Sequence, residues 1–355
     1  MMLRDLAGEV HASIRPLVEY SALDRGKLLR PTLLLLSGGT FGTIGQDHLR
    51  VAVVLETIHN ATLLHDDVLD RGVIRRGAPT VNRRWGNQVA VRLGDILLGK
   101  VFERNAALAP GIRAALGRMI RRTCAGEIHQ TVHAGNFTLT EPEYLAIVGR
   151  KTAALFRGAC HLGARLAQAA PGECRLAARF GYGVGMAYQI MDDLLDIVGD
   201  GQSLRKTLGT DMRNAKLTLP LIHALQVLAE PRKSSLLLAL KTRRRARSEL
   251  LEVLAASGST AYVLARIGGY VDRATQALGP ARQTPMKAAL LEMPRMIVQE
   301  AVEQSAGGLG VYREDRFSWI AEDRWQKEIR YQDHEYLMKC RELHCSARSL
   351  GEERR

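Results

Sequence analysis

Two short runs of aspartate constrain this chain more than any other feature. Asp66-Asp67-Val68-Leu69-Asp70 and Asp192-Asp193-Leu194-Leu195-Asp196 share the form D-D-x-x-D. Both sit inside apolar segments with helical spacing; Leu49, Val53, Ile58, Leu63 and Leu64 lead into the first. In a helix, positions i and i+4 lie on one face, so Asp66 points with Asp70 and Asp192 with Asp196. Carboxylates on one face repel, and among Leu, Ile and Val they are costly unless a cation lies between them. Oxygen-only donors suit a hard cation such as Mg²⁺, above all one shared with phosphate oxygens. A solvated acidic face could explain one such run, but explains two in apolar surroundings poorly.

The rest of the chain reads as helix. Aromatic residues make up only 5% of 355 residues, which leaves a core of Leu, Ala, Val and Ile. Helical periods cover residues 48–70, 87–108, 151–170 and 177–198, and no alternating β-type run stands out. Breakers fall between them at Gly38-Gly39, Arg71 to Pro79, Pro110-Gly111, Pro142 and Pro171-Gly172. The expected fold class is all-α, a single-domain bundle of roughly ten or more helices. Residues 1–298 form this domain. Residues 299–355 differ in composition and predict a helical extension through Trp325, Ile329, Tyr336, Cys340 and Leu343.

The net charge of +13 suits anionic partners. The run Lys241-Thr242-Arg243-Arg244-Arg245-Ala246-Arg247 is either a solvated face or a peripheral contact with anionic membrane. No aromatic residue interleaves it, which argues against nucleic acid. The five cysteines include no C-x-x-C pair, so neither a disulfide framework nor a zinc site is expected, the cluster Cys340, His344, Cys345 notwithstanding. No apolar leader and no run of 18 apolar residues is evident, so the expected location is the cytoplasm.

Basic residues surround the two acidic runs in sequence. Lys27 and Arg30 precede a long helical segment, Arg75 and Arg76 follow the first run, Lys151-Thr152 opens a helix, and Lys206 and Lys216 follow the second run. Gln189 lies three residues before Asp192. A divalent cation bordered by Lys and Arg is what a diphosphate needs.

With these motifs in order, the chain resembles the trans-type polyprenyl (isoprenyl) diphosphate synthases. The resemblance spans about residues 3–298. It rests on Gly26-Lys27-x-x-Arg30-Pro31, Glu56-Thr57-Ile58-His59, the first aspartate run, Arg75-Arg76-Gly77-Ala78-Pro79-Thr80, Lys151-Thr152, Gln189 to Asp196, Lys206 to Asp211 and Lys216-Leu217-Thr218-Leu219-Pro220. It implies mostly antiparallel helices around a central cavity, a homodimer, and successive condensation of isopentenyl diphosphate onto an allylic diphosphate. It also implies about three Mg²⁺ ions, with Asp66, Asp70, Asp192 and Asp196 as metal ligands. Lys27, Arg30, His59 and Arg76 would hold isopentenyl diphosphate. Arg75, Lys151, Thr152, Gln189, Lys206 and Lys216 would hold the allylic partner, and Lys151 and Lys206 join the aspartates in the catalytic set.

In this family the residues just before the first aspartate run floor the chain pocket. Here they are Ala61 and Thr62, both small, which points to a long-chain product such as octaprenyl diphosphate. Leu97 or Leu98 could supply the floor instead. Arg25 and Leu28 depart from the family's first motif. A catalytically silent partner subunit, a shorter-chain (C15–C20) synthase, a terpene cyclase and an HD-type phosphohydrolase are the competing readings. The first and the last two explain two complete aspartate runs less well.

Overall fold

The computed structural model describes residues 8–23, 26–199, 204, 207–242 and 247–303. Helix α1 (Arg15–Leu23) leads to α2 (Leu29–Phe41) and α3 (Gln46–Leu69). A two-residue antiparallel ladder follows, β1 (Ile74–Arg75) with β2 (Ala78–Pro79). Then come α4 (Val81–Trp85), α5 (Asn87–Asn105), α6 (Pro110–Val132) and α7 (Glu141–Val148). A π-helical turn, Gly149–Ala153, runs straight into α8 (Ala154–Leu166). The order closes with α9 (Pro171–Val198), α10 (Thr210–Arg213), α11 (Leu219–Val227), α12 (Arg232–Thr242), α13 (Arg247–Ala256), α14 (Ser259–Leu278) and α15 (Pro285–Glu303). The all-α class holds. The predicted helices at 48–70, 87–108 and 177–198 are α3, α5 and α9, and the one at 151–170 begins as the π turn.

Local chemistry sets the boundaries. Pro110 and Pro171 sit in the first turns of α6 and α9, where a missing N–H is harmless. Thr140 and Glu143 form a reciprocal capping box at the start of α7, with Glu143 accepting from the Thr140 amide at 2.8 Å. The segment 71–79, expected as a plain loop, carries the small ladder. Arg76 (φ 51°) and Gly77 (φ 82°) are both left-handed, the backbone that a two-residue hairpin turn demands. Gly77 takes it freely, whereas Arg76 takes it at a steric cost.

The main core lies where α2, α3, α6, α8, α9, α14 and α15 meet. It includes Leu33, Leu55, Ile58, Leu116, Phe156, Leu162, Phe180, Leu278 and Leu290, all essentially inaccessible. A second cluster joins α1, α3, α4 and α5 through Val18, Ala61, Leu64, Val81, Leu93 and Leu97. Among the described residues no single helix is long and apolar enough to cross a membrane. Cys124, Cys160 and Cys174 are free thiols. Helix α15 runs on past residue 298 to Glu303. The rest of the predicted extension, including its helix and the Cys340–Cys345 cluster, lies outside the described residues, as do Arg243 to Ala246.

Glycine decides how closely the central helices approach. A Cβ on Gly163 of α8 would collide with the Leu34 carbonyl oxygen of α2, and a Cβ on Gly126 of α6 with the Lys151 backbone. Gly117, in contrast, faces open space. Gly163→Ala should therefore destabilise by about 1–3 kcal/mol through overpacking. Gly117→Ala, exposed in a helix interior, should stabilise by up to about 1 kcal/mol. Thermal or urea unfolding of the two variants reads the opposite signs; equal shifts would contradict this account of the packing.

Candidate active site

A cavity of about 350 Å³ opens between α3, α6, the π turn and α9, and its wall mixes many ionisable side chains with apolar ones such as Leu63, Leu155 and Met191. Both aspartate runs face it. Asp66, Asp67 and Asp70 come from α3 and its C-cap, Asp192, Asp193 and Asp196 from α9, and Glu127 and Asp211 from α6 and α10. Two apolar helices thus carry their carboxylates to one space, as the i, i+4 spacing predicts.

The carboxylates are not equivalent. Asp67 is 7% exposed and accepts from Arg75, whose Nε lies 3.0 Å from both oxygens and whose Nη2 lies 2.8 Å from one. Asp193 is 6% exposed and accepts from Tyr144 Oη at 2.5 Å and Gln189 Nε2 at 2.6 Å. The second aspartate of each run is therefore committed to a neighbour. Asp196 accepts from the amides of Thr210 and Asp211 at 3.4 and 3.1 Å, and so braces the start of α10. Asp70 accepts from Lys216 Nζ at 2.6 Å and from Asn214 Nδ2 at 3.3 Å.

Crowding shows in the titration. Burial, then Glu127, lifts the Asp66 carboxyl to about 7, against the pull of Lys151. Burial lifts Asp193 to about 6 although Tyr144 and Gln189 oppose it, and burial with Asp196 raises Asp211 well above the usual range. Lys151 is raised despite burial, because Glu127 and Asp66 hold its charge; its Nζ lies 2.9 Å from Glu127 and 2.8 Å from Gln130. Such a surplus of buried negative charge is the donor set that a hard cation satisfies. Among the described residues no three His, Cys, Asp or Glu side chains are grouped so as to hold an ion. Oxygen donors of this kind suit a hard cation that also takes oxygens from a phosphate and from water, as Mg²⁺ does.

Cationic side chains line the same cavity. Lys27, Arg30, Arg75 and Arg76 line it with His59. Arg30 is 8% exposed, stacks 4.8 Å over Phe156, and its Nε has no hydrogen-bond partner among the described residues. Burial lowers the Arg30 pKa. Burial, Arg30 and Arg76 hold His59 well below its ordinary range, so it faces the cavity uncharged. An orphaned guanidinium donor among four cations fits an anion with several oxygens.

The residues expected to act together do meet. Lys27, Arg30, His59, Thr62, Asp66, Asp70, Arg75, Arg76, Lys151, Thr152, Gln189, Asp192, Asp196 and Lys216 all line the cavity. Lys206 lies outside the described residues. Ala61 is corrected: it is inaccessible within the cluster between α3 and α5, with Leu93 and Leu97, so of the two floor residues only Thr62 lines the cavity. Position 62 is one helical turn before Asp66 and shares its face, whereas position 61 turns away. Glu127, Gln130, Tyr144 and Tyr188 were missed. Glu127 and Gln130 are an i, i+3 pair that the sequence did offer; Tyr144 carried no signal.

Comparison with known proteins agrees with this geometry. The sequence model of the polyprenyl synthetase family matches residues 11–256. Octaprenyl diphosphate synthase of Escherichia coli is 32% identical over 289 residues, 81% of this chain and 90% of that one. Heptaprenyl diphosphate synthase component 2 of Geobacillus stearothermophilus is 40% identical over 202 residues, 56% of this chain and 63% of that one. The crystal structure of a Caulobacter crescentus polyprenyl synthase, complexed with calcium and isoprenyl diphosphate, superposes with a TM-score of 0.79 at 30% identity, covering 86% of this chain and 93% of that one. With two aspartate runs across an ionic cavity in an all-α frame, the chain belongs to the polyprenyl synthetase family and is a trans-prenyl diphosphate synthase.

Proposed function

We propose that this enzyme adds isopentenyl diphosphate repeatedly to an allylic diphosphate of the farnesyl or geranylgeranyl type, and releases a long all-trans polyprenyl diphosphate. The observation that carries this reading is one cavity lined by both aspartate runs and by Lys27, Arg30, His59 and Arg76. Lys27, Arg30, Arg76 and neutral His59 bind isopentenyl diphosphate. Arg75, Lys151, Gln189 and Lys216, with Lys206, bind the allylic diphosphate, and Thr152 acts there through the Gln189 oxygen it donates to. Lysine has three donors and arginine five, so those already bound to Asp67, Glu127 or Asp70 have donors to spare.

Asp66, Asp70, Asp192 and Asp196 would hold Mg²⁺, Asp196 while also accepting from the amides that start α10. Bound there, Mg²⁺ supplies charge neutralisation for the departing pyrophosphate. The chain's own part is to hold the leaving group on cations as its negative charge grows. It also keeps the isopentenyl double bond aligned with the allylic carbon and excludes water from the cation formed there. The isopentenyl double bond is the nucleophile and released pyrophosphate takes the proton, so neither a protein nucleophile nor a protein base is needed.

Small Thr62 at the cavity wall supports a long product. Exposed Phe102, Ile128 and Val132 on α5 and α6 support a homodimer. Exposed Lys241 at the end of α12 supports peripheral contact of Lys241 to Arg247 with anionic membrane, from the cytoplasm. A heteromeric enzyme is the second reading, favoured by the "component 2" in the name of the Geobacillus relative.

Labelled isopentenyl and farnesyl diphosphates with Mg²⁺ test the central reading, with products sized after dephosphorylation. The purified chain alone should yield one long prenyl alcohol, and Asp66→Ala and Asp192→Ala should each cost at least about 10³-fold in rate. No incorporation by the folded chain alone would favour the heteromeric reading. Thr62→Phe should shorten the product; an unchanged length would remove Thr62 from the chain pocket.

Asp66 also links stability to pH. Between its ordinary 3.8 and about 7, the folded chain keeps a proton that the unfolded chain has released. This contribution is therefore present at the acid end and is lost as pH rises through about 7. Mg²⁺ with inorganic pyrophosphate should raise the thermal midpoint more at pH 8 than at pH 6. Equal gains at both would contradict binding at these carboxylates.

A further inference from the structure

Tyr144 has no place in the reaction as described, yet it ends a chain of hydrogen bonds that starts at the cavity wall. Thr152 Oγ1 donates to Gln189 Oε1 at 2.5 Å, Gln189 Nε2 donates to Asp193 Oδ1 at 2.6 Å, and Tyr144 Oη donates to Asp193 Oδ2 at 2.5 Å. Tyr144 is only 3% exposed and sits on α7, which runs directly into the π turn that carries Lys151 and Thr152. Burial, then Asp193, raises its pKa well above the ordinary value, so it stays a donor at every working pH.

The order of donors matters. An ionised carboxylate can only accept. Asp193 therefore fixes the Gln189 amide with its nitrogen toward Asp193 and its oxygen toward Thr152. One N–H goes to Asp193, which leaves the second as a donor to spare. Turned over, the same amide would offer its oxygen where an anion is to bind. Asp193 can enforce the orientation only while both its oxygens are held, because a buried carboxylate oxygen without a donor is costly and seeks another. Tyr144 holds the second oxygen.

We propose that Tyr144 is a positioning residue for the allylic diphosphate, acting through Asp193 to set the donor face of Gln189. This rests on the assignment of Gln189 to the allylic diphosphate. Loss of the hydroxyl weakens binding of that substrate and leaves isopentenyl diphosphate, held by Lys27 and Arg30, unaffected.

The test is steady-state kinetics of the full chain with each substrate varied in turn, for Tyr144→Phe, Gln189→Ala and the double variant, with thermal midpoints measured alongside. Tyr144→Phe should raise the KM for the allylic diphosphate about tenfold and leave the KM for isopentenyl diphosphate within about twofold. In the Gln189→Ala background it should add nothing. A lower thermal midpoint or kcat with both KM values unchanged, or an equal rise in both, overturns the proposal, since that is what a purely structural tyrosine would give. Additive effects in the double variant overturn it as well. If Gln189→Ala raises the allylic KM but Tyr144→Phe does not, the proposal fails and the Gln189 assignment stands. If Gln189→Ala changes nothing, both fail. Should Tyr144→Phe not fold, Asp193→Asn reads the same relay. Its amide can donate to Gln189 and let that side chain turn, so the same selective rise is expected, and an unchanged allylic KM overturns the proposal.

Discussion

Mutual repulsion among buried carboxylates organises this protein. Asp66, Asp67, Asp70, Glu127, Asp192, Asp193, Asp196 and Asp211 share one cavity, and a low-dielectric wall makes each an expense to its neighbours. The fold meets that expense with partners drawn from distant segments. Arg75 comes from the hairpin, Lys151 from the π turn, Tyr144 from α7, and Lys216 from the stretch before α11. The π turn fits the same logic. An irregular helical turn is most common at functional sites, and here it brings Lys151 and Thr152 to the cavity while Gly126 and Gly185 let the neighbouring helices close on it.

Much of this was legible in the sequence, for a definable reason. Spacing of i and i+4 is a local property, so the facing aspartates and the helices that carry them could be read directly. The all-α class followed from composition and period. The division of labour within each run was not legible, because it depends on contacts far apart in the chain. Asp193 looks equivalent to Asp192 until Tyr144, 49 positions earlier, is found on its oxygen. That Asp196 also accepts from the amides of Thr210 and Asp211, and so braces α10, depends on a stretch more than ten residues away and could not be read locally. Ala61 is the opposite case: a residue five before Asp66 turns away from its face, and the local rule alone places Ala61 in the core against Leu93 and Leu97.

The hairpin shows how a small element can matter. Its turn places left-handed backbone at Arg76, a residue that reaches the cavity, when glycine would have been easier. Strain of this kind is held only where surrounding structure dictates it. Here Thr80 Oγ1 donates to the Gly72 carbonyl at 2.8 Å and Asn82 Nδ2 to the Asp67 carbonyl at 3.1 Å, tying the base of the hairpin to the end of α3.

The apolar interior falls into two clusters, and they are built differently. Across the larger one, α2, α8 and α9 touch through glycines, backbone against backbone. The smaller one, between α3 and α5, is held by the side chains of Ala61, Leu64, Leu93 and Leu97. Side chains can change rotamer where touching backbones cannot slide. The interior is thus stiff along the glycine seam and able to repack beside α5.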